Sequence, residues 1–476
     1  MFECSHAFAF FDYFRVPYRV TEAAGDDLPG YAGRVVSGGR SLTWLRDAAA
    51  TRGCVAGRYT LAGMPLAGHV LTAPPRLAGL DGDWHAAEPV LDEHGRQVAS
   101  VWTDDAGNVF LPFDPGEVMG TLWSERYTRL GHAVDHGLRA LAIRCYYLVR
   151  PLLPRRVQLR LRRAYARRQD AAGFPDWPVE HGLHDLYDWL FATVTALAGT
   201  AVPWLAPWPD DASWALVLTH DVETAAGFAD IELLRLPERM LGFRSSWNLV
   251  GERYRPDPET LRRLRDEGCE IGVHGLRHDG RDLASRRMLT RRLPAMHAYA
   301  AEWGAVGFRS PATQRGWDLM PLLGFDYDSS YTDTDPYEPQ PGGCCTYLPF
   351  TNGDLVELPI TLPQDHTLFE ILQEPDGSVW LDKARAVRER GGMVLVLAHP
   401  DYARNPRMAT AWRALLGDFG DDRTMWQALP REVADWWRRR AASALVPDGD
   451  GWRIDGPAAA RGRIRYTTPA LVGETP

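Results

Sequence analysis

Two carboxylates, Asp221 and Glu223, stand close together in "LTHDVET", directly after the apolar run "WALVL". Burying even one ionised carboxylate is costly unless a positive or hydrogen-bonding group meets it. Further along, "HGLRH" carries His274 and His278 at a spacing that suits two ligands of one metal ion. Two imidazoles and one carboxylate leave positions open for water, as a catalytic metal requires, and such a metal lowers the pKa of its water toward about 7. On a strand Asp221 and Glu223 point to the same side, so one can bind the metal while the other takes the proton. Near a divalent cation both can stay ionised. The plainer alternatives are a surface His pair and a carboxylate pair capping the next helix; the apolar run before the acids speaks against the second. A hydrolase also needs an acid for its leaving group, and His399, at the end of "MVLVLAH", is of the right type. It could equally be a buried His bonded to a backbone carbonyl. Arg309, in "FRSP", can orient a base carboxylate through paired hydrogen bonds or serve in an ordinary ion pair.

These residues must be held by elements that end near one another. From 214 onward, apolar β-type runs alternate with helical ones. "WALVLTHD", "SSWNLVG", "CEIGVHG", "AVGFRSP", "DLVELPITLP" and "MVLVLAHPDY" read as strands; "PETLRRLRDEG", "RRMLTRRLPAMHAYAAEWG" and "VWLDKARAVRERGG" read as helices. That alternation predicts an α/β fold with a parallel sheet, and the number of units suits a closed or nearly closed barrel. In such a barrel the site gathers where strands end. His220, Asp326, Asp328, Asp365, His366, Asp401 and Tyr402 also fall at those places.

The remainder carries less chemistry. Residues 1–125 read as a β-rich accessory module of short runs between Gly, Pro and Asp, built on two sheets. Residues 126–213 read as a helical connector, with helices expected over 131–149 and 178–199 and a Pro- and Trp-rich linker near 200–213. Seven Arg between 155 and 168 suit a peripheral contact with an anionic membrane or a glycan-assembly partner, or a solvated helix face. The barrel is expected over 214–442, and 443–476 as a tail with a small hairpin.

The net charge of −9 does not suit a nucleic-acid binder. The six Cys are sparse and form no CxxC, which argues against a disulfide framework. Lys383 is the sole Lys of the chain. The start "MFECSHAFAFFDYF" lacks a basic n-region, and no apolar stretch reaches the roughly 20 residues of a membrane span, so the expectation is a cytoplasmic protein, with membrane association through the basic segment as the alternative.

Residues 214–402 resemble the polysaccharide deacetylases, carbohydrate esterase family four. The family's opening motif, TFDD or a THDVD-like variant, resembles "LTHDVE", and its "aTFFvG … GhEigH" stretch resembles "SSWNLVG … GCEIGVH". Its HSxxH or HTxxH motif resembles "HGLRH", with Gly275 in the second position; its RxP resembles "FRSP", its aspartate motif "YDSSY", and its final LxH "LAH". The resemblance implies a distorted (β/α)7 barrel that removes acyl groups from sugars with a divalent metal, usually Zn2+. It implies that Asp221 is the general base, that Glu223, His274 and His278 are metal ligands, that Arg309 orients the base and that His399 is the acid. Asp328, Tyr331, Asp365 and His366 are the candidates for substrate contact. Glu replaces the family's Asp at 223, moving the carboxylate out by one methylene, and "RSPA" lacks the aromatic that often follows the Pro.

The expected activity is therefore deacetylation of an N-acylated sugar or glycan precursor, with a carbohydrate as partner. Two other readings stand beside it: hydrolysis of a non-sugar amide at the same site, and an inactive barrel that binds or assembles glycans, for which Glu223 is the main support.

Overall fold

The computed structural model describes residues 1–25, 30, 32–46, 48–49, 51–75, 80, 82–130, 163 and 173–469. The helix expected over 131–149 and the basic segment 155–168, Arg163 excepted, lie outside them. By their contacts the residues fall into two units: Met1–Ala133 with His181–Asp210 and Arg439–Pro476, and Val134–Glu180 with Asp211–Arg438.

The first unit holds β1 (Phe2–Cys4), β2 (Tyr18–Val20), β3 (Ala32–Ser37), β4 (Arg40–Leu45), β5 (Cys54–Leu61), β6 (Met64–Leu71), β7 (His85–Asp92), β8 (Gln97–Thr103) and β9 (Val109–Leu111). They make one nine-stranded sheet, ordered β2-β1-β3-β4-β9-β8-β7-β5-β6, where two sheets were expected. Short turns with glycines at positive φ, Gly38–Gly39 and Gly63, close the β3–β4 and β5–β6 hairpins, which keeps successive runs in one ladder. The expected helix within 178–199 forms over Gly182–Ala198. Part of the Pro- and Trp-rich stretch is not a free linker but a strand, β10 (Val202–Leu205).

The second unit is α/β. Its strands are β11 (Trp214–Val222), β12 (Ser245–Leu249), β13 (Glu270–Val273), β14 (Gly307–Phe308), β15 (Tyr327–Asp328), β16 (Phe350–Asn352), β17 (Leu355–Glu357), β18 (Met393–Ala398) and β19 (Met425–Gln427). The order is β16-β17-β15-β14-β13-β12-β11-β18, with β19 beside the start of β11. All neighbours pair in parallel except β16 with β17. Each β11 residue is buried, as expected of a parallel strand covered on both faces. The ladder does not run on from β17 to β18. Instead the backbone N–H groups of Thr361 and Leu362 both donate to the Leu395 carbonyl, at 3.1 and 3.2 Å, so the sheet curls toward closure without a continuous seventh pairing.

The returning helices start where the sequence supplies caps. Asp257 accepts from the Thr260 N–H at 2.9 Å, with Pro258 in the first turn of the helix Pro258–Asp266. Ser285 accepts from the Met288 N–H at 3.2 Å to open the helix Arg286–Trp303. In the tail, β20 (Ala444–Asp448) pairs with β21 (Gly451–Asp455) across a turn containing Gly449 at φ +56°, and β22 (Ile464–Thr467) pairs with β10 of the same unit. The hairpin thus ends, rather than begins, at "GWRID". Among the described residues, no helix is long and apolar enough to cross a membrane.

Candidate metal-binding hydrolase site

The end of β11 sorts its side chains by alternation. His220 turns to one face, where it stacks on Trp247 with ring centroids 4.1 Å apart and meets Glu238 at 2.6 Å, a wholly structural setting. Thr219 and Asp221 turn to the other. Asp221 is buried, and its Oδ1 accepts from Asn248 Nδ2 at 2.8 Å and from Arg309 Nη1 at 3.2 Å. Burial would raise the Asp221 pKa, but His274, Arg309 and His399 outweigh it and hold the carboxyl below its ordinary value. Arg309 is fully buried and held on all sides: Nη1 also donates to Thr219 Oγ1, Nε to the Ser329 carbonyl and Nη2 to Ser329 Oγ, each at 2.7 Å.

His274 follows β13, and His278 sits in the tight turn after it. Gly275 (φ +66°) and His278 (φ +52°) are left-handed there, so the two imidazoles come together through a turn and not a helix. A Cβ on Gly275 would lie 2.3 Å from Asp282 Oδ2, which accepts the Leu276 N–H. The Nδ1 of His274 lies 3.0 Å from the Arg309 carbonyl. A carbonyl only accepts, so Nδ1 carries the proton and Nε2 is left with its lone pair. The Nε2 atoms of His274 and His278 are both buried, and that of His274 has no hydrogen-bond partner. Burial pushes the His274 pKa down to about 4, which keeps the ring neutral. Glu223 Oε1 stands 2.9 Å from His278 Nε2, and one ligand atom from each of Glu223, His274 and His278 lies within 4.8 Å of the others. Burial raises the Glu223 pKa, yet His278, with His399 and His274, brings it well below its ordinary value. Two inward imidazoles, that of His274 neutral, beside an ionised carboxylate fit a divalent cation of borderline softness.

His399 is buried on the facing side, its Nε2 3.9 Å from Glu223 Oε1. Its Nδ1 donates to Asp365 Oδ1 at 2.6 Å, and its backbone N–H to Asp365 Oδ2 at 2.7 Å. Burial would lower the His399 pKa, but Asp365 reverses this, with help from Glu223 and Asp221, and raises it to about 10.

The four substrate-contact candidates fall in different places. Asp365 is fully buried behind His399, so its carboxylate serves that ring and does not face a substrate. Asp328 is also fully buried and accepts from both the backbone and the hydroxyl of Ser330 at 2.7 Å, holding the turn that carries Ser329 to Arg309. Tyr331 is buried, with the Arg315 guanidinium 5.7 Å from its ring centre. His366 is half-buried and lies against Tyr402, ring centroids 5.2 Å apart, while Tyr402 in turn lies 5.5 Å from His399. Reading the sequence alone passes over Asn248 and places Asp401 at a strand end without giving it a role. Asn248 was visible as a lone polar residue inside the "SSWNLVG" strand, and Gly272 makes room for it: a Cβ there would lie 2.0 Å from Asn248 Oδ1. Asp401 holds the chain at Glu223, a contact that no local signal marked.

No family model and no curated protein sequence matches the chain. Solved structures do resemble it over about half its length. One is a polysaccharide deacetylase candidate from Mycobacterium smegmatis, with 21% identity and a TM-score of 0.41, over 51% of this chain and 96% of the other. Another is PuuE allantoinase, with 15% identity and a TM-score of 0.40, over 49% and 93%. A third is the peptidoglycan deacetylase PdaC from Bacillus subtilis, with 14% identity and a TM-score of 0.33, over 49% and 96%.

Proposed function

We propose that the chain is a metal-dependent hydrolase that removes an acetyl or other acyl group from an N-acylated sugar or glycan precursor. The barrel-like unit, read as a distorted (β/α)7 barrel over 214–442, would be its catalytic part. The observation that carries the proposal is the clustering of Glu223, His274 and His278, with the His274 Nε2 buried and without a hydrogen-bond partner. The reading of an inactive barrel rested on the length of Glu223, and its carboxylate comes within 2.9 Å of the His278 imidazole.

Glu223, His274 and His278 would hold the cation, which we take to be Zn2+. A divalent cation there supplies Lewis-acid polarisation of the acyl carbonyl and lowers the pKa of water toward about 7. Asp221, ionised and aimed by Arg309 and Asn248, is placed to accept the proton of the attacking water at a carboxylate oxygen. His399, charged through its contact with Asp365, is placed to give the Nε2 proton to the departing amine. Arg309 acts on Asp221 and Asp365 on His399, so both are positioning residues. The burial of Asp221, His274 and His399 restricts water around the reacting groups.

The test is the metal content of the purified protein together with acetate release from N-acetylated oligosaccharides. Stoichiometric metal and release abolished by His274→Ala or His278→Ala are expected; a folded protein that takes up no metal would sink the proposal.

A further inference from the structure

Glu223 has one more rotatable bond than Asp, and where its carboxylate can reach depends on the backbone position from which the side chain extends. The turn that follows β11 is pinned from the far side of the site. Asp401, in the turn after β18, accepts the Glu223 backbone N–H on Oδ2 at 3.0 Å and the Thr224 hydroxyl on Oδ1. Thr224 Oγ1 in turn accepts the Gly227 N–H at 3.1 Å and caps the short helix Ala225–Ala229. Gly227 is shaped to this contact. A Cβ on it would lie 2.1 Å from Asp401 Oδ2, so only glycine lets the carboxylate sit there. The same side chain therefore ties the segment that carries His399 to the segment that carries Glu223.

We propose that Asp401 is a positioning residue that sets the reach of Glu223 and so the affinity and geometry of the cation site; this rests on the metal-binding reading above. Its carboxylate touches neither the candidate ligands' side chains nor a reacting atom. It acts by fixing the φ/ψ from which Glu223 extends, and by holding Thr224 so that the turn cannot slide. A cation tolerates ligand distances only within about 0.2 Å, so a small drift of that turn would be felt at the metal.

The experiment measures Zn2+ affinity of the full chain by chelator competition, and the visible absorption of the Co2+-loaded protein as a report on coordination. Asp401→Ala is expected to weaken Zn2+ binding about 10–100-fold, the usual range for outer-shell partners, and to change the Co2+ spectrum. Gly227→Ala, which evicts the carboxylate while leaving it in the chain, is expected to do the same and covers the case in which Asp401→Ala fails to fold. In a Glu223→Ala background, removing Asp401 is expected to have no further effect on Zn2+ affinity, because its action runs through Glu223. Folded Asp401→Ala and Gly227→Ala proteins with wild-type Zn2+ affinity and an unchanged Co2+ spectrum overturn the inference alone. A full Asp401 effect persisting without Glu223 also overturns it. A wild-type protein that binds no Zn2+ overturns the metal reading itself, and the inference with it.

Discussion

Asp365 grips His399 at two points, accepting the ring Nδ1–H at 2.6 Å and the backbone N–H at 2.7 Å. The double contact fixes both the tautomer and the direction of the ring, so that Nε2 is the atom presented toward Glu223. Buried against a carboxylate, the imidazole keeps its proton up to about pH 10.

Replacing Asp365 with Asn should therefore show in the pH profile of kcat/KM. A His with a raised pKa is charged below that value and loses its proton as pH rises through it. Activity that needs the charged ring thus falls on the alkaline side. Without the Asp365 charge, that limb should move down from about 10 toward the ordinary 6.5, so the variant loses more activity at pH 8 than at pH 6. The ion pair's share of stability follows the same sign. It is full below 6.5 and fades as pH climbs to about 10. An alkaline limb unmoved by Asp365→Asn would exclude His399 as the group behind it.

Gly275 stands where the resembling family has Ser or Thr, yet putting Ser there should harm this chain. The backbone is left-handed at φ +66°, and the new Cβ would fall 2.3 Å from Asp282 Oδ2, a carboxylate already bonded to Arg292 at 2.6 Å. Gly275→Ser is expected to cost on the order of 1–3 kcal/mol, the usual scale for a strained backbone position, read as a lower denaturant midpoint. A midpoint equal to wild type would mean that the turn relaxes freely.

Lys383, the sole lysine among 52 arginines, is fully buried and meets Asp333 at 2.8 Å. The compact ammonium fits where a planar guanidinium would need more room and more acceptors. Lys383→Met should destabilise the fold by about 3–5 kcal/mol, because Asp333 is left buried and unpaired. Adding Asp333→Leu should recover much of that loss, since a well-packed apolar pair avoids both desolvation costs. Chemical denaturation of the two variants distinguishes this from a simple packing defect, which the second change would worsen.

The α/β class and the alternation of strands with helices were legible from 214 onward, because parallel strands covered on both faces read as apolar runs and the intervening helices carry their own caps. "WALVLTHDV", "CEIGVHG" and "MVLVLAH" each end in the residues that the sheet brings together. The single N-terminal sheet was not legible as one. Short strands of alternating pattern look alike whether they join one ladder or two, and only pairings such as β4 with β9 decide it. The start of the tail hairpin was misplaced for the same reason: "IRYT" pairs with Val202–Leu205, far away in the chain.

For the site, residue types and spacing alone determined which groups could do hydrolytic chemistry: two acids at a strand end, two imidazoles in one turn, an arginine and a further histidine at other strand ends. Those signals are local, and a sequence displays them directly. What each carboxylate faces was decided only by tertiary structure. Asp365 reaches His399 across 34 residues and Asp401 reaches Glu223 across 178. Nothing in "LPQDH" or "HPDY" distinguishes a side chain aimed at substrate from one that holds a neighbour. That difference is set by which strand lies beside which, and by a glycine such as Gly227 leaving the space for a contact to form.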